Sequence, residues 1–385
     1  MSFDIEAATD AYIDGLGEEA LAQAAAYTTG NHWLMLGSLL MTAIVTLIII
    51  RTGILTKVAD KLRNRGFVVR VFCVSAIYLV VSTLLELPWS IFTGWWRETQ
   101  YGRTSQPLMD FLGQGLLALL ISALLAGIFF VAIYAFIQKT KKRWWLWGGG
   151  FTGVFVAGLL IIGPTYIAPL FNDYQPVPPG EVRDAVEAMA IEANIPTERV
   201  FMYDGSRQSN NFTANVSGIG GAARIAISDV ALDDATLDEV KAVTGHEIGH
   251  YVLGHIWDGI WLTVIVIMAS FFIADKAFNP AARLFGARED ISDPTGLPVV
   301  LFLVSLIGML AQPASNAVSR MNETEADHYS YKMVNLPDGM ASALVKTAVN
   351  RNPRPGTLEE WLFYTHPSVE RRVRAAMAWK ARPDS

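Results

Sequence analysis

Charge is scarce in this sequence: Asp, Glu, Lys and Arg make up 17% of its 385 residues, against roughly 25% in soluble domains. With 52% hydrophobic residues, the chain has too little polar surface to cover a water-soluble globule, and its apolar stretches are long enough to cross a bilayer. Basic residues are fewer than acidic ones, 30 against 36, and they sit at the ends of apolar stretches. That arrangement marks topology signals and excludes a nucleic-acid footprint. There is one cysteine, Cys73, so an intrachain disulfide is excluded, and its apolar surroundings make it a small buried hydrophobe. The N-terminus lacks the basic start, short apolar core and cleavage site of a removable signal peptide. Residues 1–32 contain no Lys or Arg.

What is present instead is a series of apolar segments. Six reach membrane-spanning length, about Trp33–Ile50, Phe67–Ile91, Leu112–Gln138, Trp144–Leu170, Ile256–Ile273 and Leu297–Ala317, each near the ~20 residues that cross hydrocarbon. Pro298, Gln312 and Pro313 interrupt the sixth. Tryptophans gather at span ends, as an interfacial belt requires. The expected division is a polar, chemically silent segment 1–32, spans one to four in 33–170, an α+β loop domain in 171–255, spans five and six in 256–317, and a helical C-terminal part in 318–385. The fold class is therefore mainly α: a polytopic membrane protein with a small α+β domain on one membrane face.

In the loop domain, helical spacing predicts a helix over Glu181–Asn194, and β-like runs lie at Arg199–Tyr203, Asn211–Val216 and Ala223–Ser228. Thr236 and Glu239 have the spacing of a capping box, so a helix is expected to start there and run on into the fifth span. That helix carries His246-Glu-Ile-Gly-His250, an HExxH pattern. The four-residue offset puts both imidazoles on one face, where they reach one metal ion, and Glu247 then sits beside a metal-held water as general base. Zinc suits such a donor set. A third protein ligand is needed, and Ser319-Arg-Met-Asn-Glu-Thr-Glu-Ala-Asp327 offers Glu323 and Glu325; Glu323 pairs at i, i+4 with Asp327 on one face. His255, projected at about 100° per residue, falls on the side of the helix opposite His246 and is left out.

HExxH at the base of a span, followed by a further span and the Ser319–Asp327 helix, resembles the type I CAAX prenyl proteases and their relatives, including HtpX. Leu87-Pro-Trp-Ser90, Glu98-Thr-Gln-Tyr-Gly102 and Tyr166-Ile-Ala-Pro-Leu-Phe171 are similar to motifs of the prenyl-protease branch, and the resemblance covers most of the chain beyond about residue 30. It implies one Zn2+ per chain held by His246, His250 and Glu323, with Asp327 orienting a ligand. Ser209-Asn-Asn-Phe212 is similar to the family's segment that pairs with the substrate backbone, which implies substrate contacts at Asn210 and Asn211; Asn211 stands where alanine is usual. His366-Pro-Ser-Val-Glu-Arg-Arg372 resembles a further family motif, implying that His366 stabilises the oxyanion and that Arg372 supports the site. A one-residue shift would put Arg371 in that role.

The activity implied is zinc-dependent hydrolysis of peptide or protein substrates, CAAX-type termini or membrane-associated chains that are in some cases prenylated. The alternatives are a membrane-protein quality-control protease or a noncatalytic scaffold. A transporter would need ionisable residues deep in several spans, and away from span ends only Glu86 stands out. Lys and Arg crowd residues 51–65, 139–143 and 276–288 and are absent from 1–32. By the positive-inside rule the catalytic side then lies outside the cytoplasm, in a bacterial inner membrane or, in a eukaryote, the endoplasmic reticulum. Eukaryotic members of the resembled family have the site on the cytosolic side.

Overall fold

A computed structural model describes residues 3–218, 220 and 223–382; the outermost residues of the expected 1–32 and 318–385 segments lie outside the described residues. In chain order its α-helices are α1 (Ile5–Asp14), α2 (Glu18–Thr52), α3 (Ile54–Lys61), α4 (Phe67–Ile91), α5 (Arg97–Gln100), α6 (Leu108–Thr140), α7 (Trp144–Ile162), α8 (Glu181–Glu192), α9 (Asp229–Asp234), α10 (Leu237–Val252), α11 (His255–Phe285), α12 (Leu297–Val334), α13 (Pro337–Lys346), α14 (Thr357–Phe363) and α15 (Val369–Lys380). The strands are β1 (Tyr174–Pro176), β2 (Val200–Tyr203), β3 (Ala214–Ser217) and β4 (Arg224–Ser228).

Among the described residues, five helical stretches are long and apolar enough to cross a membrane. One of them, Leu108–Leu170, contains a reversal at Lys141, whose φ is +47°. Phe136 meets Phe151 and Phe129 meets Phe155 across that turn, the pairing of an antiparallel hairpin, so α6 and α7 make two passes. The passes are then α2, α4, α6, α7, α11 and α12. Small residues bring them together: a Cβ on Gly149 would meet Met268, and one on Gly153 would meet Val264, at under 3 Å. Close backbone approach at glycine is a standard basis for helix association in lipid. Glu86 lines a cavity of about 780 Å3 between α4 and α6.

Two expectations about helix continuity are corrected. The helix that begins at the capping box, with both of its hydrogen bonds formed at Thr236, does not continue into the fifth span. It ends at Val252, and α11 starts anew after Gly254, whose φ of +77° suits glycine and breaks the ladder. Conversely, α12 runs 38 residues without a break: Pro298 sits in its first turn, where no intrahelical N–H is lost, and Pro313 is carried within the helix.

The four strands form one sheet in the order β1-β2-β4-β3, with β2 and β4 parallel and the other pairs antiparallel. Val200, Ile225 and Ile227 from the sheet, Val186 and Met189 from α8 and Ile248 from α10 share one core. Segment 1–32 is not a detached flank. Ile13 is buried with Met340, Leu344 and Met377 from α13 and α15, and Arg354 pairs with Asp10 and Asp14 at 2.6 Å each.

Candidate metal centre

Helices α10 and α12 pack with His246, His250, Glu323 and Asp327 at their interface, and glycine allows it: a Cβ on Gly249 would stand 3.1 Å from the Ala326 backbone. His246 Nε2 and His250 Nε2 are 3.2 Å apart, and each is 3.3 Å from a Glu323 oxygen. Donors about 2.0–2.1 Å from a tetrahedral zinc are separated by roughly 3.3 Å, so the spacing is that of a ligand set. Glu323 Oε2 is buried and faces only groups of positive or donor character, His246 Nε2 at 3.3 Å and Arg372 Nη1 at 3.6 Å. The three residues are a group able to hold a metal ion.

The far nitrogens have fixed partners. His246 Nδ1 lies 2.9 Å from Asp327 Oδ1, and a proton donated there leaves Nε2 bare towards the cluster. Asp327 is in turn gripped by Arg372 through two hydrogen bonds of 2.8 and 2.6 Å. His250 Nδ1 lies 2.9 Å from His255 Nδ1, and His255 Nε2 lies 3.2 Å from Glu325. The consistent proton assignment runs from His250 to His255 to Glu325, and it again leaves His250 Nε2 bare. The projection that put His255 opposite His246 is therefore corrected: it assumed one unbroken helix, and the left-handed turn at Gly254 swings His255 back against His250.

Glu247 is half-buried at the wall of a cavity, and desolvation there pushes its carboxyl pKa up, against the pull of His246 and His250. On His246, burial alone would favour the neutral ring, but hydrogen bonds to Asp327 and Glu323 outweigh it and raise the pKa to about 9. His366 is held down at about 3, chiefly by burial; its Nε2 is 3.2 Å from Glu323 and its Nδ1 2.8 Å from the Thr365 hydroxyl. Accepting that hydroxyl at Nδ1, the neutral ring presents Nε2–H to the site. Arg371 points elsewhere, to Glu360 at 2.9 Å, so of the two adjacent arginines Arg372 is the one at the cluster.

Two cavities flank the cluster. One, of about 520 Å3, is bordered by Val216, Gly218, His250, His255 and Glu323; the other, of about 440 Å3, by Asn211, Ala214, His246, Glu247, His366 and Arg372. Strand β3, at the sheet edge, passes from the second to the first. Asn211 lines the cavity, whereas Asn210 holds the preceding loop: its Nδ2 donates to the Gly102 carbonyl and its Oδ1 accepts from Ser105. Sequence reasoning missed Tyr27, Arg103 and Arg351 at the second cavity. Glu98 and Gly102 explain two of them, because Glu98 accepts from the Tyr27 hydroxyl and from Arg103 Nε, so the Glu98–Gly102 motif builds a wall of the cavity.

Two family models match nearly the whole chain: "CAAX prenyl protease N-terminal, five membrane helices" over residues 7–173 and "Peptidase family M48" over residues 176–380. The uncharacterized metalloprotease YhfN of Bacillus subtilis is 30% identical over 302 residues, which is 77% of this chain and 71% of that protein. The CAAX prenyl protease 1 homologue of Caenorhabditis elegans is 26% identical, over 80% of this chain and 76% of its own. The human homologue is 25% identical, over 80% and 74%. The crystal structure of S. mikatae Ste24p shares the fold, with a TM-score of 0.77 at 21% identity, covering 94% of this chain and 90% of that one.

Proposed function

This chain belongs to peptidase family M48, and from that membership we propose that it is a membrane endopeptidase of CAAX prenyl protease type whose metal is zinc. That it is an integral-membrane metalloendopeptidase acting on peptide or protein substrates follows from the family; the metal's identity, the residue roles and the substrates are our reading. The carrying observation is the convergence of two imidazole nitrogens and one carboxylate at about 3.3 Å spacing, with the half-buried Glu247 in the cavity wall beside His246.

In this reading His246, His250 and Glu323 hold the zinc, while Asp327 and Arg372 keep His246 in its ligand tautomer. Bound zinc supplies Lewis acidity to the scissile carbonyl and to a water. Glu247, whose pKa is raised by burial, takes the water's proton and passes it to the departing amine. His366 donates Nε2–H to the carbonyl oxygen as it gains negative charge. The substrate lies along the free edge of β3 as an added strand, with Asn211 beside it. Substrates are CAAX-like carboxyl termini or membrane-associated chains, prenylated ones among them. N-terminomics on membranes carrying the native enzyme or Glu247→Gln tests the reading: new termini present only with the native enzyme support it, and identical termini in both overturn it.

The Lys/Arg distribution further supports a site on the non-cytoplasmic face, the periplasm in a bacterium. In a Cys73→Ser background, a single cysteine at Ser206 is expected to react with a membrane-impermeant maleimide in intact cells, and one at Thr140 is not. The opposite labelling pattern would put the site in the cytoplasm.

A further inference from the structure

The two cavities beside the metal ligands differ in charge. No arginine lines the larger one, whereas the smaller takes in Arg103, Arg351 and Arg372. Arg372 is committed to Asp327. The other two retain free capacity. Arg351 has no carboxylate within ion-pair distance among the described residues; the Tyr364 ring lies 5.9 Å from the guanidinium carbon, Glu323 attracts it from beyond that range, and the like charges of Arg372 and Arg103 oppose it. Burial first, then Arg372, lower its pKa. Arg103 gives Nε to Glu98, but its Nη1 is buried with no hydrogen-bond partner among the described residues. A half-buried guanidinium with no carboxylate beside it and a buried N–H donor with no partner among the described residues both call for an anion, so this cavity suits one.

Strand direction says which end of a peptide arrives there. β3 runs from Ala214, at the arginine cavity, to Ser217, towards Val216 and Gly218 at the larger one. A peptide added antiparallel to its free edge runs the opposite way, so its carboxyl-terminal part enters the arginine cavity. A parallel peptide would bring its terminal ammonium against Arg351 and Arg103.

We infer that Arg351 and Arg103 form a subsite for the carboxylate of the substrate's own C-terminus and so restrict cleavage to a position a few residues from a free chain end. This rests on the endopeptidase reading above and adds the residues that measure the distance.

The test is binding, with the zinc-loaded Glu247→Gln protein in lipid nanodiscs, so that cleavage plays no part. The probes are a fluorescein-labelled peptide of uncharged residues with a free carboxyl terminus, its C-terminal amide, and that amide with one internal glutamate. The free acid is expected to bind roughly 10- to 100-fold more tightly than the amide, the scale of one or two charge-assisted hydrogen bonds. Arg351→Met should bring that ratio close to one with amide affinity unchanged, and Arg351→Lys should keep part of it. Equal binding of acid and amide, no binding of either, or an internal-glutamate amide that binds as tightly as the acid would each overturn the subsite. Failure of the endopeptidase reading shows separately, in membranes where native and Glu247→Gln enzymes leave identical termini.

Discussion

Between His250 and His255 a single hydrogen bond fixes which nitrogen faces the metal. His255→Phe removes it, and metal affinity is expected to fall roughly 10- to 100-fold, the usual effect of losing a ligand's orienting partner; competition with a chromogenic chelator measures it. Glu323→Ala should lose the metal outright, while Glu247→Gln should keep it, because Glu247 is not among the converging atoms. Metal analysis of the purified variants separates these outcomes. His366→Ala should retain metal yet lose about 10²–10³ in kcat, the scale of one oxyanion donor. Proton linkage gives a further measurement. Without metal, His246 titrates at about 9, so below that pH the ring carries a proton that the metal must displace. Apparent affinity should therefore rise with pH, about tenfold per unit for one proton, and level off above 9. Calorimetry in buffers of different ionisation enthalpy should find about one proton released at pH 7.

At the level of elements, local signals were the legible ones. The capping box at Thr236, the apolar spacing of α8 and the short apolar runs of β2 and β4 each sit within a few residues of sequence, and each element formed where that signal lay. Strand β1 was not legible: three residues ending at Pro176 carry no strand signal, and Tyr174–Pro176 is extended because it pairs with Phe201–Tyr203. The break at Gly254 was missed because an isolated glycine inside a helical pattern reads as tolerated, and only its φ of +77° shows otherwise. Gly254→Ala forces a side chain into that left-handed region and should cost about 1–2 kcal/mol, seen as a lower Tm in detergent. Where α7 crosses α11, Gly153→Leu drives its side chain into Val264 and should also lower Tm, by overpacking of about 1–3 kcal/mol.

Over the whole molecule, the chemistry is assembled from distant stretches, and this limits what a linear reading can find. HExxH is local and was readable; the pairing of Glu323 with it needed the resemblance. Arg351 and Arg103, 248 positions apart by number, belong to no motif pair and meet only because Glu98 anchors one while the turn after α13 carries the other. Likewise nothing in segment 1–32 announces that α1 docks on α13 and α15. Deletion of residues 1–17 should therefore lower the Tm of the catalytic half, because it exposes the core around Ile13 and strips Arg354 of two carboxylates.

The unbroken course of α12 has a mechanical consequence. At 1.5 Å per residue its 38 residues extend about 57 Å, with the membrane-type apolar segment at one end and Glu323 towards the other. The two histidines ride on α10, which joins its own membrane helix through the swivel at Gly254. The three jaws of the clamp thus hang from one continuous arm and one jointed arm. A thinner or thicker membrane, which tilts spans to match its depth, should slide the carboxylate against the imidazoles. Metal retention would then read out lipid length, and chelator off-rates in nanodiscs of short and long acyl chains should differ.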